Sequence, residues 1–208
     1  MIGGNGVWNS YDSSNSSYNL KGKYSISKIT SPKDYYVSQK SYTNKLGGSA
    51  EVITPVGTSN DRFYIVSLNN LFGTYDWYNS ANGNMKDYTT TTSKKFGKGK
   101  DNTSSMISKW ENKAYGEQDN CTNHKDIWGQ IKNQSEIGWF IPSREEWADF
   151  ANQLEITKSN YISKGLSGWY WASSQSNSNN AHYITFDYGH ITNDFVNYDA
   201  YVRLATSF

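Results

Sequence analysis

The sequence predicts an α+β fold in which the helices are grouped between two sets of short strands. Three observations carry this. Short alternating runs separated by polar turns occupy the stretch before residue 70. Amphipathic helical patterns, two or three of them, cluster between residues 102 and 154. An antiparallel meander of polar and aromatic residues then runs from Trp169 to Arg203. Helices that are segregated, rather than alternating one by one with strands, argue against a βαβ unit and its parallel sheet.

In chain order, residues 1–22 are rich in Ser, Asn and Gly and read as a loose arm. "KYSISKI" and "AEVITPV" alternate as short strands, and "RFYIVSL" at 62–68 is the strongest strand signal of the first half. Residues 69–102 are turn-rich and carry Tyr75, Trp77 and Tyr78. A loop of that length in a compact domain is expected either to be functional or to pack on its own aromatics. "NTSSMISKWENKAYG" sets Ile107, Trp110 and Ala114 on one helical face, with Gly116 at its C-terminal end. "HKDIWGQIKNQ" groups Ile127, Trp128 and Ile131 in a shorter helix interrupted by Gly129. "GWFI" reads as a short strand. Ser143 followed by Glu146 forms a capping box ahead of Trp147, Phe150 and Leu154. Three strands close the chain: "WYWASS", "AHYITFD" and "FVNYDAYVR". On the first of these, Trp171 is expected to face the core, with Tyr170 on the opposite, exposed side and Trp169 at the strand's edge.

The bulk numbers exclude several function classes. A chain of 208 residues hides more than about two-thirds of its unfolded surface and needs no staple. Its net charge of +1 gives no steering towards nucleic acid or acidic membrane surfaces. No run approaches the roughly 20 apolar residues of a membrane span, and "MIGGNGVW" has neither the basic region nor the apolar core of a secretion signal. The single Cys121 rules out an intrachain disulfide. Aromatic residues make up 16 % of a chain otherwise rich in Asn, Ser, Thr and Gly. That composition suits recognition surfaces, where Tyr supplies area at low entropy cost and Asn and Ser supply adaptable hydrogen bonds.

Catalytic and metal constellations are weak. Cys121 and His124 have C-x-x-H spacing without a second pair of ligands. His182, Asp187 and His190 fall on adjacent strand ends, but so do many polar residues of any hairpin. Asp187, Asp194 and Asp199 recur along the last two strands and could pair as acid and base in a glycosidase, but nothing in the sequence fixes their separation. Ser143 and Glu146 are accounted for by capping. The glycine stretches lack a P-loop pattern. No cofactor and no metal is expected.

Residues 176–200, "SNSNNAHYITFDYGHITNDFVNYDA", contain no Lys, Glu, Gln, Met or Trp, although the chain holds eight Trp and many Lys. Those five are the amino acids that no codon ending in a pyrimidine encodes. Within the window, Ala181, Phe186, Gly189 and Val196 have the character of core or turn residues. The residues between them are polar or aromatic and suit a surface.

The stretch "GWFIPSREEWADFANQLEIT…NYISKGLSGWYWASSQ…YVRLATSF" resembles the C-terminal domain of a group of gut-bacterial proteins with a C-type-lectin-like fold. The resemblance rests on Gly138 to Trp147, Gly165 to Ser167, Tyr170 to Gln175 and Tyr201 to Phe208, with "FYIVSL", "WYNSANGNM" and "MISKWENKAYG" upstream. It covers about residues 62–208, and Ala172 stands where the pattern has Ser. Proteins similar to these are targets of diversity-generating retroelements. A reverse transcriptase there copies a template RNA with errors at adenines, and the copy replaces the 3′ end of the target gene. Template AAY codons keep their final pyrimidine, so Lys, Glu, Gln, Met and Trp are unreachable. The resemblance thus implies the restricted alphabet that residues 176–200 show. The Glu-Pro-Asn, Gln-Pro-Asp and Trp-Asn-Asp triplets of calcium-dependent sugar-binding lectins are absent. The paired cysteines of the formylglycine-generating relatives are absent too.

The sequence therefore predicts residues 1–60 as an N-terminal arm with short strands and no assigned role. Residues 61–208 form a C-type-lectin-like ligand-binding domain with a variable region at about 169–200. The expected ligand-facing residues are Ser176, Asn177, Asn179, Asn180, His182, Tyr183, Thr185, Asp187, Tyr188, His190, Thr192, Asn193, Asp194, Asn197, Tyr198 and Asp199, joined at the edge by Trp169. The expected activity is non-enzymatic recognition of a protein or glycan ligand, a protein being favoured, at a bacterial surface or on a phage particle. No nucleic-acid binding or membrane insertion is expected. A fixed-specificity glycan-binding module and a carboxylate-based glycan hydrolase are the rival expectations.

Overall fold

The computed structural model describes residues 63–207 except 68, 80–83, 122–124 and 137, together with five short strands nearer the N-terminus. The chain divides into two compact units, residues 1–68 with 207–208, and residues 69–206. In the first unit β1 (Ile2–Gly4) pairs antiparallel with β6 (Phe63–Val66), β2 (Trp8–Asp12) with β3 (Ser17–Leu20), and β4 (Lys40–Thr43) with β5 (Ser49–Val52). Three of these strands lie in the 1–22 stretch that its Ser, Asn and Gly content marks as an arm. Trp8, Tyr11 and Tyr18 are strand-formers that a composition count hides, and Tyr11 stands opposite Tyr18. "KYSISKI" lies outside the described residues.

The second unit carries the core and is α+β, with short antiparallel sheets and, among the described residues, four helices. After β7 (Tyr75–Asp76) come α1 (Tyr88–Thr91), α2 (Gly99–Glu111), α3 (Ile127–Glu136) and α4 (Arg144–Gln153). The closing strands are β8 (Trp169–Gln175), β9 (Asn180–Thr185), β10 (His190–Phe195), β11 (Asp199–Ala200) and β12 (Ala205–Ser207). β8, β9 and β10 form an antiparallel meander, and β11 pairs with β7.

The core is aromatic. Trp77, Tyr78, Met85, Met106, Trp110, Trp128, Ile131 and Trp171 belong to one buried cluster. Trp77 meets Trp128 edge-on with ring centres 4.8 Å apart, a preferred aromatic geometry. The long stretch after residue 69 is thus structural: Tyr75, Trp77 and Tyr78 are its anchors, and the Trp77 indole donates to the carbonyl of Ala172 at 2.8 Å. Buried Ile127, Trp128 and Ile131 make up the expected apolar face of α3. Gly129 admits the close approach of α2, since a Cβ there would stand 2.5 Å from the Trp110 ring.

Several expectations differ from the fold. The helix of residues 102–116 begins earlier, at Gly99, and ends at Glu111. Ala114 is exposed, in a turn where Lys113 takes φ 52° and Gly116 φ 120°. "GWFI" forms only a single bridge, Phe140 with Ala205. The last strand is not "FVNYDAYVR". β10 covers His190–Phe195, and residues 196–203 give only the two-residue β11 and a bridge at Tyr201. The turn Asp187-Tyr188-Gly189, with Gly189 at φ 75°, folds β10 back on β9 and sets this register. Tyr170 is fully buried, the reverse of the expectation, while Trp171 faces the core as expected and Trp169 is 39 % exposed. β8 is buried on both faces. Tyr170 packs on Trp147 of α4 and on Phe186, while Trp171 packs on the other side against Tyr183 and donates to the Tyr75 carbonyl.

Candidate functional site

The matched motif segments turn out to be pins of the framework. Ser143 caps α4 through the Glu146 amide, and the Glu146 carboxylate accepts from the Ser143 amide at 2.6 Å, completing the capping box. The same carboxylate accepts from the amides of Gly97 and Gly99 at 3.1 Å each. One side chain therefore holds the start of α2 to the start of α4. Its full burial pushes the carboxyl up to about 7, against the downward pull of those donors. Ser173 accepts from Asn102 of α2, and Ser174 donates to the Ser93 carbonyl and so holds the 92–95 loop. Buried Arg203 donates to Asn70 Oδ1 and the Gly165 carbonyl, and lies 5.4 Å from the centre of the Tyr170 ring.

The expected ligand-facing residues sit on the β9–β10 hairpin and its flanking turns. Residues directly opposite in an antiparallel pair share a face. One face therefore carries the rows Trp169–Thr185–His190, Trp171–Tyr183–Thr192 and Gln175–Ala181–Asp194. The other carries Tyr170–Ile184–Ile191, His182–Asn193 and Asn180–Phe195. The strand period thus divides the expected patch between two faces.

On the first face Trp169 stacks on Tyr183, with ring centres 5.7 Å apart and planes inclined by 29°. The Trp169 indole donates to Asp187 Oδ2 at 3.0 Å. Asp187 also accepts from the Thr185 hydroxyl at 2.8 Å and from the Tyr188 amide at 3.1 Å. Desolvation works upward on the Asp187 carboxyl, but these donors outweigh it and hold it below the ordinary range. Burial raises the Tyr183 hydroxyl, and the charges of Asp194 and Asp187 raise it further. Tyr188 is exposed at the turn, next to His190.

On the second face the His182 ring nitrogen Nδ1 lies 3.3 Å from the Thr192 carbonyl. Burial lowers its basicity, and Arg144 and Lys94 lower it further. Asn180 donates to Asn193 at 3.3 Å.

Not every expected residue faces solvent. Thr185 is buried, and its hydroxyl both donates to Asp187 and accepts from the Tyr188 amide. Asn177 is exposed, but its side-chain oxygen accepts from the amides of Asn179 and Asn180, so it shapes the turn between β8 and β9. In that turn the Ser176 amide donates to the Asn180 carbonyl, and Asn179 accepts from Ser178. Asn197 and Tyr198, in the turn after β10, and Asp199, the first residue of β11, are exposed. Phe195 and Tyr201, at 45 % and 36 % exposed, belong to the surface although sequence reading passed them over. The β9–β10 register would have found Phe195, opposite Asn180 at the end of an edge strand.

The His182–Asp187–His190 grouping is not brought together on one face. His182 and His190 project from opposite faces of the sheet. Asp187 is held at the turn end and Asp194 at the far end, where it accepts from the Phe195 amide. The Thr185–His190 row next to the Asp187 turn and the Ala181–Asp194 row are four residues of strand apart, about 13 Å along the hairpin. Cys121 is exposed and His124 lies outside the described residues. Among the described residues no group of three or more His, Cys, Asp or Glu is placed to hold a metal, and no helix is long and apolar enough to cross a membrane.

No family model matches the chain, and no curated protein does. A fimbrial protein from Bacteroides ovatus ATCC 8483 is among the solved structures similar to it, at 15 % identity and a TM-score of 0.46. The alignment covers 71 % of this chain and 36 % of that one, so the chain spans about a third of the fimbrial protein's length. At that similarity the likeness identifies neither a shared fold nor a shared role.

Proposed function

We propose that this chain is a non-enzymatic recognition protein. Its second unit is a C-type-lectin-like scaffold whose β9–β10 hairpin and flanking turns, about residues 169–200, are diversified by adenine-directed retroelement mutagenesis. The partner is a protein, met at a bacterial surface or on a phage particle. The observation that carries this reading is the coincidence of an alphabet with a place. The segment free of Lys, Glu, Gln, Met and Trp begins directly after Gln175, the last residue of the doubly buried strand β8. It supplies the edge of the sheet and its turns. The same five types stay absent to Phe208. Burial of Val202, Arg203, Leu204 and Ala205 therefore sets the C-terminal limit of the diversified surface, not the alphabet. The framework pins, Glu146, Trp147 and Trp171 among them, lie outside residues 176–200 and tolerate nothing so variable; of the first seven residues of the 169–200 range, strand β8, only Trp169 reaches the surface.

The gene's own neighbourhood tests this reading. A reverse-transcriptase gene is expected close by, with a near-repeat of the codons for about 169–200 that differs from them only where the repeat has adenine. A neighbourhood lacking such a repeat contradicts the proposal.

A further inference from the structure

The face that carries Trp169 is acidic and aromatic at once. Between Lys164 and Arg203 the sequence contains no Lys or Arg, and Arg203 is buried. The same interval contains Asp187, Asp194 and Asp199, so its formal charge is −3 with His neutral. None of the three carboxylates forms an ion pair among the described residues; the ion pairs there join Lys98 to Asp101, Lys109 to Asp87, Lys113 to Glu117 and Lys132 to Glu111. Lys158, the cation beside the turn, lies along Gly189.

Two of these carboxylates flank one aromatic stack. Asp187 holds the Trp169 indole by its N–H. Tyr183, on which Trp169 stacks, feels the charge of both Asp187 and Asp194. Asp194 stands in the row beyond Tyr183 on the same face. A half-exposed indole, fixed in orientation and set between uncompensated carboxylates, has a definite chemical complement. A guanidinium is planar, stacks on aromatic faces and donates in a fork to a carboxylate. An ammonium gains the charge without the stacking, and a neutral sugar gains the stacking without the charge.

We propose that the Trp169–Tyr183 stack, between Asp187 and Asp194, seats an arginine side chain of the protein partner. This rests on the reading of the hairpin as a recognition surface and narrows its partner to one with a basic patch. In the present copy of the surface, specificity and on-rate both come from charge complementarity around that arginine.

The test is a titration of the full chain with tetra-arginine peptide, followed through the Trp169 indole and the hairpin amides by NMR. Tetra-lysine and a neutral oligosaccharide serve as comparison probes. Asp194→Asn keeps an oxygen for the Phe195 amide and removes only charge, and Trp169→Ala removes the stack. Tetra-arginine is expected to shift the Trp169 indole, Tyr183 and Thr192 selectively. Its affinity is expected to fall about fivefold in each variant, and tetra-lysine is expected to bind more weakly than tetra-arginine. Shifts spread over the whole surface, affinity unchanged in Asp194→Asn, tetra-lysine binding equally well, or the oligosaccharide alone moving these resonances would each overturn the proposal. The two proposals fail separately. A locus without a retroelement repeat leaves the arginine titration standing, and a flat titration leaves diversification standing.

Discussion

The Trp169 indole donates to the Asp187 carboxylate at 3.0 Å, joining the first residue of β8 to the turn between β9 and β10. The bond reaches across 18 residues of chain. It orients the half-exposed ring at the edge of the hairpin. Asp187 in turn accepts from Thr185 and from the Tyr188 amide, so a surface feature and a turn are built on one carboxylate.

Thr185 is therefore a turn residue although it lies in the variable window. Thr185→Val keeps the shape and removes the hydroxyl that binds Asp187 and Tyr188. The Tyr188 amide keeps Asp187 as an acceptor, so the loss is that of the hydroxyl's own bonds and is expected to destabilise the chain by about 0.5–1.5 kcal/mol. Thermal unfolding of the variant measures this. An unchanged midpoint would show that the hydroxyl does not hold the turn.

Glu146 makes the stability depend on pH. Its folded carboxyl titrates at about 7, raised from 4.5 chiefly by burial. Between those values the folded chain keeps a proton that the unfolded chain releases. The contribution is therefore complete below about 4.5 and is lost as pH rises through 7, a change on the order of 3 kcal/mol. Glu146→Gln, which stays neutral, is expected to flatten this part of the curve. Denaturant midpoints from pH 4 to 8 for both proteins check it. Parallel curves would contradict the assignment.

Gly129 looks like a flaw in a helix pattern until α2 is placed beside it. A Cβ at this position would meet the Trp110 ring at 2.5 Å and the Asn120 side-chain oxygen at 2.9 Å. Gly129→Ala, normally favourable within a helix by close to 1 kcal/mol, is expected here to cost about 1–3 kcal/mol through overpacking. A rise in Tm would show that α2 and α3 can separate without loss.

Arg203 is buried with neutral acceptors, Asn70 and the Gly165 carbonyl, and with the Tyr170 ring. Lysine cannot reproduce its planar fork or its stacking. Arg203→Lys is expected to cost about 3 kcal/mol, in the range for a buried charge stripped of its partners, as read from equilibrium unfolding. Wild-type stability in that variant would make the guanidinium geometry irrelevant.

What the sequence made legible was mostly local. The Ser143–Glu146 capping box, the apolar face of α3 and the antiparallel character of the closing strands follow from spacing alone. Burial on two faces of one strand does not. Tyr170 alternates away from Trp171, yet α4 covers it, and only tertiary packing reveals that. The edge strand β10, "HITNDF", reads as a turn because an exposed strand needs no apolar alternation. The polar character of the window was legible residue by residue. Its division between two faces depends on the register set by the Asp187–Gly189 turn, and the anchoring role of Thr185 on a hydroxyl pointing inward.

The central claim is that this hairpin varies by mechanism while its supports do not. Deep sequencing of the gene's 3′ end across a natural population tests it most directly. The account predicts substitutions concentrated at exposed hairpin positions such as Tyr188, His190, Asn193 and Tyr198, with Lys, Glu, Gln, Met and Trp never appearing there. Buried Ala181, Phe186 and Val196 are predicted to stay constant. A uniform sequence, or changes scattered evenly through Glu146, Trp171 and the helices, would contradict it.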